Sequence, residues 1–297
     1  MSESVKLAVF PVAGFGTRFL PATKACPKEM LPIVDKPLIQ YAVEEAYEAG
    51  IRTMVFITGR NKWAITEHYD VAYELERELE EQGKSALLRA VQQVKPADMN
   101  VIFIRQERAL GLGHAVLCAR SVVRHQPFAV LLADDLVMNT GGASALKQMI
   151  DVFEKHQQGV LGVMEVARED THKYGIVTEG VGLDERLCTL AGIVEKPKPE
   201  LAPSRLAVVG RYILPARIMD ILQHTSQGAN GEIQLTDAIA RLIDEKTVLA
   251  YRFEGKRFDC GDKLGYLQAN VEVALQHELL GRDFAHYLKH YVNQLGE

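Results

Sequence analysis

The apolar and polar positions of this 297-residue chain follow two alternating patterns. Short, nearly continuous apolar runs are typical of buried strands, whereas apolar residues that recur every three or four positions are typical of amphipathic helices. In the first half, apolar runs predict strands over residues 5–12, 52–58, 100–105, 128–133 and 160–167. Helical spacing predicts helices over residues 37–50, 61–68, 70–94, 113–123 and 142–157. This alternation predicts an α/β fold, a three-layer Rossmann-like domain with a mostly parallel sheet and helices on both faces.

The second half of the chain has a less regular pattern. It predicts strands over residues 174–178, 189–194 and 206–214, and helices over 231–243, 263–276 and 283–294. The sequence contains no internal repeat, low-complexity tract or Gly/Ser linker that would divide it. We therefore expect a single domain that is elaborated towards its C-terminus.

Charge and composition restrict the classes of partner. The formal net charge is -5 and hydrophobic residues make up 47% of the chain. A mildly acidic protein has no general field that attracts it to nucleic acid or to an anionic membrane, so we expect neither as a partner. The apolar runs are far shorter than the ~18 residues of a membrane helix, and the N-terminus lacks the features of a signal peptide. These features predict a cytoplasmic protein.

The cysteines are too widely scattered to form a zinc ribbon or a disulfide framework. They are Cys26, Cys118, Cys188 and Cys260. We expect reduced thiols at all four positions, and we interpret Cys26 and Cys260 as packing positions.

A loop rich in glycine and proline follows the first predicted strand. Gly14 and Gly16 lie in this loop, and paired glycines after a strand allow backbone amides to approach a phosphate. Cations follow at Arg18, Lys24 and Lys28, and closely spaced Arg and Lys side chains suit a triphosphate. An ordinary surface loop with solvated cations is the alternative at this point.

Two common nucleotide-binding motifs are disfavoured. The dinucleotide-binding motif requires a third glycine three residues after Gly16, and that position is Phe19. The tripeptide Gly83-Lys84-Ser85 resembles the end of a P-loop, but Glu78 stands where the P-loop requires its earlier glycine. The loop is therefore not explained by a Rossmann dehydrogenase or a P-loop NTPase.

The glycine loop belongs to a longer series of motifs. Residues 14–31 read Gly-Phe-Gly-Thr-Arg-Phe-Leu-Pro-Ala-Thr-Lys-Ala-Cys-Pro-Lys-Glu-Met-Leu. Further strings follow in order at residues 105–106, 111–116, 174–175, 194–197, 209–212, 231–238 and 259–266. Together they resemble the signature of the sugar-phosphate nucleotidyltransferases, and among these the bacterial UTP–glucose-1-phosphate uridylyltransferases. The resemblance extends over about residues 5–280.

The resemblance implies a role for each of several residues. The residues implied to bind the nucleotide are Ala13, Gly14, Gly16, Thr17, Gln106 and Gly111. Those implied to be catalytic, by gripping the triphosphate or the sugar phosphate, are Arg18, Lys28 and Lys196. Those implied to bind the sugar are Gly175, Glu195 and Gly210. The implied ligands of a Mg²⁺ ion are Asp134 and Asp259.

Physical chemistry supports these assignments in part. Two converging aspartates, with water and phosphate oxygens, would satisfy the preference of Mg²⁺. Asp134 and Asp135 also fit a simple turn after a strand, and their spacing does not decide which of them would bind the metal. Glu195 and Lys196 precede a proline, so an extended backbone would point one side chain at the sugar and the other at phosphate. Without the resemblance, Lys196 also fits a solvated loop lysine.

The implied reaction is Mg²⁺-dependent and converts UTP and glucose 1-phosphate to UDP-glucose and pyrophosphate. The resemblance implies a single nucleotidyltransferase domain with a nucleotide-binding part over about residues 5–135, a sugar-binding part over about 136–265 and C-terminal helices over about 266–297. It also implies a homodimer or a homotetramer. One alternative is an enzyme for another nucleotide, such as dTTP, or another sugar 1-phosphate. A second is a non-catalytic regulatory paralogue, which we expect to lose Thr17 and Arg18; both are present.

Overall fold

The computed structural model describes residues 3–228 and 231–295. Most strands belong to one nine-stranded sheet, and two small two-stranded sheets accompany it. The strands are Leu7–Val12 (β1), Pro32–Ile33 (β2), Lys36–Pro37 (β3), Thr53–Thr58 (β4), Asn100–Arg105 (β5), Phe128–Leu131 (β6), Asp135–Met138 (β7), Gly159–Glu165 (β8), Gly175–Gly182 (β9), Leu187–Glu195 (β10), Leu206–Leu214 (β11), Val248–Arg252 (β12) and Lys256–Asp259 (β13).

Helices fill most of the connections between these strands. They are Leu38–Glu48 (α1), Trp63–His68 (α2), Tyr73–Glu81 (α3), Ser85–Gln92 (α4), Leu112–Cys118 (α5), Arg120–Val123 (α6), Ala145–His156 (α7), Arg217–Gln223 (α8), Leu235–Glu245 (α9), Lys263–Gln276 (α10) and Gly281–Leu295 (α11). Within residues 3–228 and 231–295, no helix has the length and apolar character needed to cross a membrane.

The large sheet is mixed, which corrects the expectation of a mostly parallel sheet. Its strand order is β5-β4-β1-β6-β11-β8-β12-β10-β9. The first four strands in this order, β5, β4, β1 and β6, are parallel, as predicted for strands joined by helical crossovers. β11 is antiparallel to both of its neighbours, β6 and β8. β9 and β10 are joined by residues 183–186 alone, and so short a connection permits only an antiparallel pair.

Two apolar cores cover opposite faces of the sheet, because successive side chains of a strand point in opposite directions. Leu7 and Val9 of β1 pack into one core, which includes residues of α5, α8 and α9. Ala8 and Phe10 of the same strand pack into the other core, which includes residues of α1 and α7. The carboxyl ends of β1 and β6 therefore open at one edge between these cores.

Several element boundaries differ from the prediction. The helix predicted over residues 70–94 is two helices, α3 and α4, because the intervening Gly83 has a φ of 67° that a continuing helix does not allow. The helix predicted over residues 113–123 is likewise divided into α5 and α6, and the helix predicted from residue 231 begins at Leu235. The pattern missed α8 and the strands β2, β3, β7, β12 and β13. All of these strands have five residues or fewer, so they carry little periodicity.

Candidate active site

The loop that follows β1 folds back on itself instead of starting a long helix. It contains three short 3₁₀ turns, at Thr17–Phe19, Ala22–Lys24 and Lys28–Met30. Gly16 has a φ of 65°, and the Thr23 hydroxyl donates a 2.7 Å hydrogen bond to its carbonyl oxygen. A Cβ at Gly16 would lie 3.1 Å from the Cβ of Lys28. The loop thus needs glycine at this position to bring its two ends together.

A first cavity of about 360 Å³ opens at the carboxyl end of β1. All six residues implied to bind the nucleotide line this cavity, namely Ala13, Gly14, Gly16, Thr17, Gln106 and Gly111. Its other walls are Pro11, Phe15, Ala109, Leu112, Ala115 and Glu232. The structure therefore brings together two segments that are distant in sequence, one after β1 and one after β5.

Gln106 is buried at the back of the first cavity and has a defined orientation. Its side-chain amide nitrogen donates a 3.2 Å hydrogen bond to the carbonyl oxygen of Gly111 and lies 2.9 Å from Nδ1 of His114. The Gln106 carboxamide therefore has a fixed direction before any ligand arrives. His114 lies beside this amide as a neighbour.

A second cavity of about 290 Å³ adjoins the first. Among the residues implied to handle phosphate, sugar and metal, it is lined by Arg18, Asp134, Gly175, Glu195, Lys196, Gly210 and Asp259. Leu112 and Glu232 line both cavities, so the two spaces meet at these residues. Lys28 does not line the second cavity, but it forms an ion pair with Asp134, which does.

Asp134 and Asp259 converge on Gly261. A Cβ at Gly261 would lie 3.0 Å from Oδ2 of Asp134 and 3.1 Å from Oδ1 of Asp259. The Gly261 amide donates a 3.0 Å hydrogen bond to Oδ1 of Asp259, and Arg18 donates to the Gly261 carbonyl oxygen at 3.4 Å. Glycine at this position leaves free the space into which both carboxylates point.

This pair of carboxylates fits a Mg²⁺ ion that takes its remaining ligands from phosphate and water. Over the described part of the chain, no group of three or more His, Cys, Asp and Glu side chains is placed to hold a metal alone. Both carboxylates line the second cavity, which suits Mg²⁺, because this ion usually retains waters and binds substrate phosphates.

Lys28 forms an ion pair with Asp134. Burial alone would lower the pKa of the Lys28 ammonium, but the carboxylates of Asp134 and Glu29 raise it above its ordinary value. Burial alone would raise the pKa of Asp134, but the Lys28 ammonium lowers it. Both groups are therefore charged at neutral pH.

A buried ion pair supports the turn that carries Lys28. The Lys62 ammonium lies 2.7 Å from the carboxylate of Glu29, and both side chains are almost fully buried. Burial raises the pKa of Glu29, and the nearby Lys62 and Lys28 ammonium groups oppose that increase. Lys62 comes just before α2, so this pair ties the loop after β4 to the loop after β1.

Asp135 and Asp134 have different ion-pair partners: Arg257 pairs with Asp135, and Lys28 pairs with Asp134. Arg257 forms an ion pair with Asp135, donates a 3.1 Å hydrogen bond to the hydroxyl of Tyr174 and lies 3.6 Å from Oδ2 of Asp259. Burial raises the pKa of Asp135 to about 6; Arg257 opposes this increase, and Asp134 adds to it.

Gly210 is required where β11 passes Asp135. It has a φ of 61°, and a Cβ there would clash with the carboxylate of Asp135. The predicted glycine thus lines the second cavity and permits this close approach.

Behind Asp135, Arg211 forms a fully buried ion pair with Glu45 of α1 at 2.7 Å. Arg211 also donates hydrogen bonds to the carbonyl oxygens of Leu132 (3.1 Å) and Asp135 (2.9 Å). These bonds join β11 to both ends of the turn between β6 and β7. They hold in place the backbone from which Asp134 projects.

The backbone at Lys196 is not extended, which corrects the expectation for the segment before Pro197. The φ of Lys196 is 45°, in the left-handed region. The Lys196 ammonium lies 3.3 Å from Oε1 of Glu195, and the two side chains therefore meet rather than diverge. The Lys196 amide donates a 2.9 Å hydrogen bond to the carbonyl oxygen of Tyr174, which holds this turn against β9. Non-glycine residues in this conformation are concentrated at functional sites.

Several lining residues were not found from the sequence. Thr236 donates a hydrogen bond to Oε2 of Glu195, and Gln234 donates one to Oε2 of Glu232 at 3.0 Å. Arg257 lies two residues before Asp259, which was the available signal for it. Glu232, Gln234 and Thr236 lie within the motif at residues 231–238, but the sequence of that motif does not indicate which of its side chains face the cavity.

The four cysteines are free thiols. Burial raises the pKa of Cys260 to about 12, and the nearby carboxylates add to the increase. Its thiol is therefore protonated at neutral pH, which agrees with its assignment as a packing position.

Comparison with known proteins places this geometry in a family. Residues 8–276 match the family described as nucleotidyl transferase. The chain is 47% identical over 293 residues to a UTP--glucose-1-phosphate uridylyltransferase of Bacillus subtilis (strain 168), which covers 98% of this chain and 99% of that protein. It is 47% identical over 265 residues to the protein of that name from Pseudomonas aeruginosa, covering 89% of this chain and 94% of that one.

Solved structures give the same result. A UTP-bound UGPase from Acinetobacter baumannii superposes with a TM-score of 0.90 at 47% identity, covering 96% of this chain and 98% of that chain. A UDP-glucose pyrophosphorylase complexed with UDP-glucose superposes with a TM-score of 0.85 at 44% identity, covering 92% of this chain and 100% of that chain. This chain therefore belongs to the nucleotidyl transferase family.

Proposed function

We propose that this protein transfers the UMP moiety of UTP to glucose 1-phosphate and so produces UDP-glucose and pyrophosphate. The observation that carries the proposal is the pair of adjoining cavities, with Asp134 and Asp259 converging on Gly261 beside Arg18. The similarity to proteins named for this reaction, over almost the whole chain, supports the choice of UTP and glucose 1-phosphate.

In this proposal the first cavity takes the uridine. Gln106 faces the base edge with a carboxamide that Gly111 and His114 orient. The main chain of Ala13 and Gly14 faces the base, and Gly16 and Thr17 carry the loop towards the phosphates. The two cations of the loop, Arg18 and Lys28, are placed to grip the triphosphate.

The second cavity takes glucose 1-phosphate. Glu195, whose carboxylate is oriented by Thr236, accepts hydrogen bonds from glucose hydroxyls. The half-exposed Lys196 ammonium, which lies beside Glu195, is placed to meet the sugar phosphate. Gly175 and Gly210 line the pocket through their backbones.

The proposed reaction is an in-line displacement at phosphorus. A phosphate oxygen of glucose 1-phosphate forms a bond to the α-phosphorus of UTP, and the bond from that phosphorus to the bridging oxygen of the β-phosphate breaks. The oxygen nucleophile is already an anion, so no general base is needed. Catalysis then depends on positioning and on neutralising charge, the tasks assigned here to Arg18, Lys28 and Lys196.

We infer that Asp134 and Asp259 are the residues that hold Mg²⁺. When bound there, Mg²⁺ supplies positive charge that offsets the negative charge of the phosphate oxygens. Asp135 is excluded from this role in the proposal, because Arg257 already engages its carboxylate. Lys28, which pairs with Asp134, is placed to exchange that carboxylate for a phosphate oxygen.

The decisive experiment measures pyrophosphate release by the purified protein with UTP and glucose 1-phosphate, with and without Mg²⁺. We expect release only with both substrates and Mg²⁺, and weaker release with dTTP, CTP or galactose 1-phosphate. A stronger rate with dTTP would identify the alternative nucleotide enzyme. Nucleotide binding without release for any pair would identify the regulatory alternative.

We further infer the organisation of the chain. A single three-layer Rossmann-like domain, with its nucleotide-binding part over about residues 5–135, sugar-binding part over about 136–265 and C-terminal helices over about 266–297, is supported by the two cores that flank the sheet. Residues 296–297 lie outside the described part. A cytoplasmic location is proposed because the four free cysteines are typical of a reducing compartment. The net charge of -5 supports the proposal that neither nucleic acid nor a membrane is a partner.

We also infer a homodimer or homotetramer. The exposed side chains Tyr287 and Tyr291 lie four residues apart on the same side of α11, with their ring centroids 6.0 Å apart, and an uncovered apolar stripe of this kind marks an interaction surface. Light scattering after size-exclusion chromatography tests this. A monomer at micromolar concentration would contradict it, and Tyr291→Glu is expected to reduce the mass of the assembly.

A further inference from the structure

Glu232 lies at the junction of the two cavities. It is the only charged residue that lines the first cavity in the described part of the chain, and it lines the second as well. In the proposed arrangement the uracil occupies the first cavity and the phosphates extend towards the second. The ribose, which links base to phosphate, must therefore pass this junction.

The backbone around Glu232 is fixed to the loop that faces the base. The Ile233 amide donates a 2.7 Å hydrogen bond to the carbonyl oxygen of Leu110, and the Gly113 amide donates a 2.8 Å bond to the carbonyl oxygen of Ile233. A Cβ at Gly111 would lie 2.8 Å from the Cβ of Glu232. Glu232 therefore has a defined position relative to Gln106, whose amide donates to Gly111.

The carboxylate of Glu232 is only partly engaged. Its Oε2 accepts a 3.0 Å hydrogen bond from the Gln234 amide, whereas no hydrogen bond to Oε1 is present among residues 3–228 and 231–295. An ionised carboxylate accepts hydrogen bonds and donates none, and phosphate oxygens would repel it. The donors that a nucleotide offers at this junction are the hydroxyls of its ribose.

We propose that Glu232 accepts a hydrogen bond from the ribose 2′-hydroxyl and thereby selects ribonucleotides over 2′-deoxyribonucleotides. This inference rests on the proposed function, because it requires a nucleotide in the first cavity. The glucose hydroxyls have a separate carboxylate, Glu195, with its own orienting hydrogen bond from Thr236. Glu232 thus acts on the nucleotide, and Glu195 on the sugar.

The test compares the dissociation constants of UTP and dUTP by isothermal titration calorimetry, with no sugar phosphate present. A hydrogen bond to a charged acceptor predicts that the wild-type protein binds UTP about ten- to a hundredfold more tightly than dUTP. In Glu232→Ala, we expect this ratio to fall close to one, through loss of UTP affinity. The matched control is Asp237→Asn, an exposed carboxylate on α9 outside both cavities, which should keep the wild-type ratio.

The outcomes separate this inference from the proposed function. An unchanged UTP-to-dUTP ratio in Glu232→Ala overturns the role of Glu232. If both nucleotides are then weakened equally, Glu232 either contacts the 3′-hydroxyl, which both nucleotides share, or only positions the loop. A changed KM for glucose 1-phosphate with an unchanged nucleotide ratio also overturns it, because Glu232 would then face the sugar. Failure of the wild-type protein to bind UTP or release pyrophosphate would instead contradict the proposed function itself.

Discussion

The Lys28 ammonium and the Asp134 carboxylate form an ion pair across the loop after β1 and the turn after β6. Each group keeps the other charged: Asp134 raises the pKa of Lys28 and Lys28 lowers that of Asp134, in both cases against the effect of burial. The pair joins a residue proposed to grip phosphate to one proposed to hold Mg²⁺. The ion pair thus joins the segments that follow the carboxyl ends of the neighbouring strands β1 and β6.

The first prediction concerns Asp134. Asp134→Ala removes one of the two carboxylates that converge on Gly261, and we expect turnover to fall by about a hundredfold or more, the usual cost of losing one electrostatic group in an active site. Pyrophosphate release measured against Mg²⁺ concentration checks this. Asp151→Ala, which removes an exposed carboxylate of α7, is the control and should leave the rate unchanged. A near-normal rate in Asp134→Ala would show that the metal assignment is wrong.

Lys196→Ala should affect the sugar phosphate and not the nucleotide. Its ammonium is half exposed beside Glu195 in the second cavity, so we expect the KM for glucose 1-phosphate to rise about ten- to a hundredfold, as for loss of a charged hydrogen bond. The dissociation constant of UTP should stay unchanged. Steady-state kinetics and calorimetry measure the two quantities. Lys198→Ala, two residues along the same loop, is the control; a comparable loss of UTP affinity in Lys196→Ala would contradict the assignment.

Asp135 gives a pH-dependent contribution to stability. Because burial raises its pKa from 3.8 to about 6, the native state binds this proton more readily than the unfolded state between those pH values. The contribution of Asp135 to the free energy of unfolding therefore falls as pH rises through that window. Asn cannot titrate, so the Tm of the wild type minus that of Asp135→Asn should decrease from pH 4 to pH 6.5. A difference that increases over this range would reverse the assigned direction.

The buried pair Arg211–Glu45 should be the most sensitive ion pair to mutation among those discussed here. Arg211→Met leaves Glu45 buried and uncompensated, and we expect a loss of about 3–5 kcal/mol in the free energy of unfolding. The double variant Arg211→Met/Glu45→Leu should recover part of that loss. Urea denaturation measures all three proteins.

A surface pair supplies the comparison for Arg211. Arg205 pairs with Glu165 at 3.2 Å, and both side chains are largely exposed. Arg205→Met should cost less than about 1 kcal/mol, as exposed pairs usually do. A loss in Arg211→Met no larger than this would mean that the buried pair does not hold the turn that carries Asp134.

The sequence alone determined the alternation of strands and helices in the first half and the motif residues of the site. Long apolar runs such as β5 and amphipathic stretches such as α1 carry enough periodicity to be assigned from local order. The resemblance of the ordered strings then supplied the family, which the comparisons confirmed. It also supplied the candidate site residues, all of which line the two cavities except Lys28.

Tertiary structure alone decided the relations between distant segments. The direction of β11 and the pairing of β7 with β13 depend on contacts between residues far apart in sequence, so no local pattern encodes them. The same holds for the division of labour between the adjacent aspartates: Lys28 engages Asp134 and Arg257 engages Asp135. The left-handed turn at Lys196 likewise depends on the hydrogen bond that its backbone amide donates to the carbonyl oxygen of Tyr174. Local sequence specifies which groups are available, and packing of the sheet edges determines which of them meet.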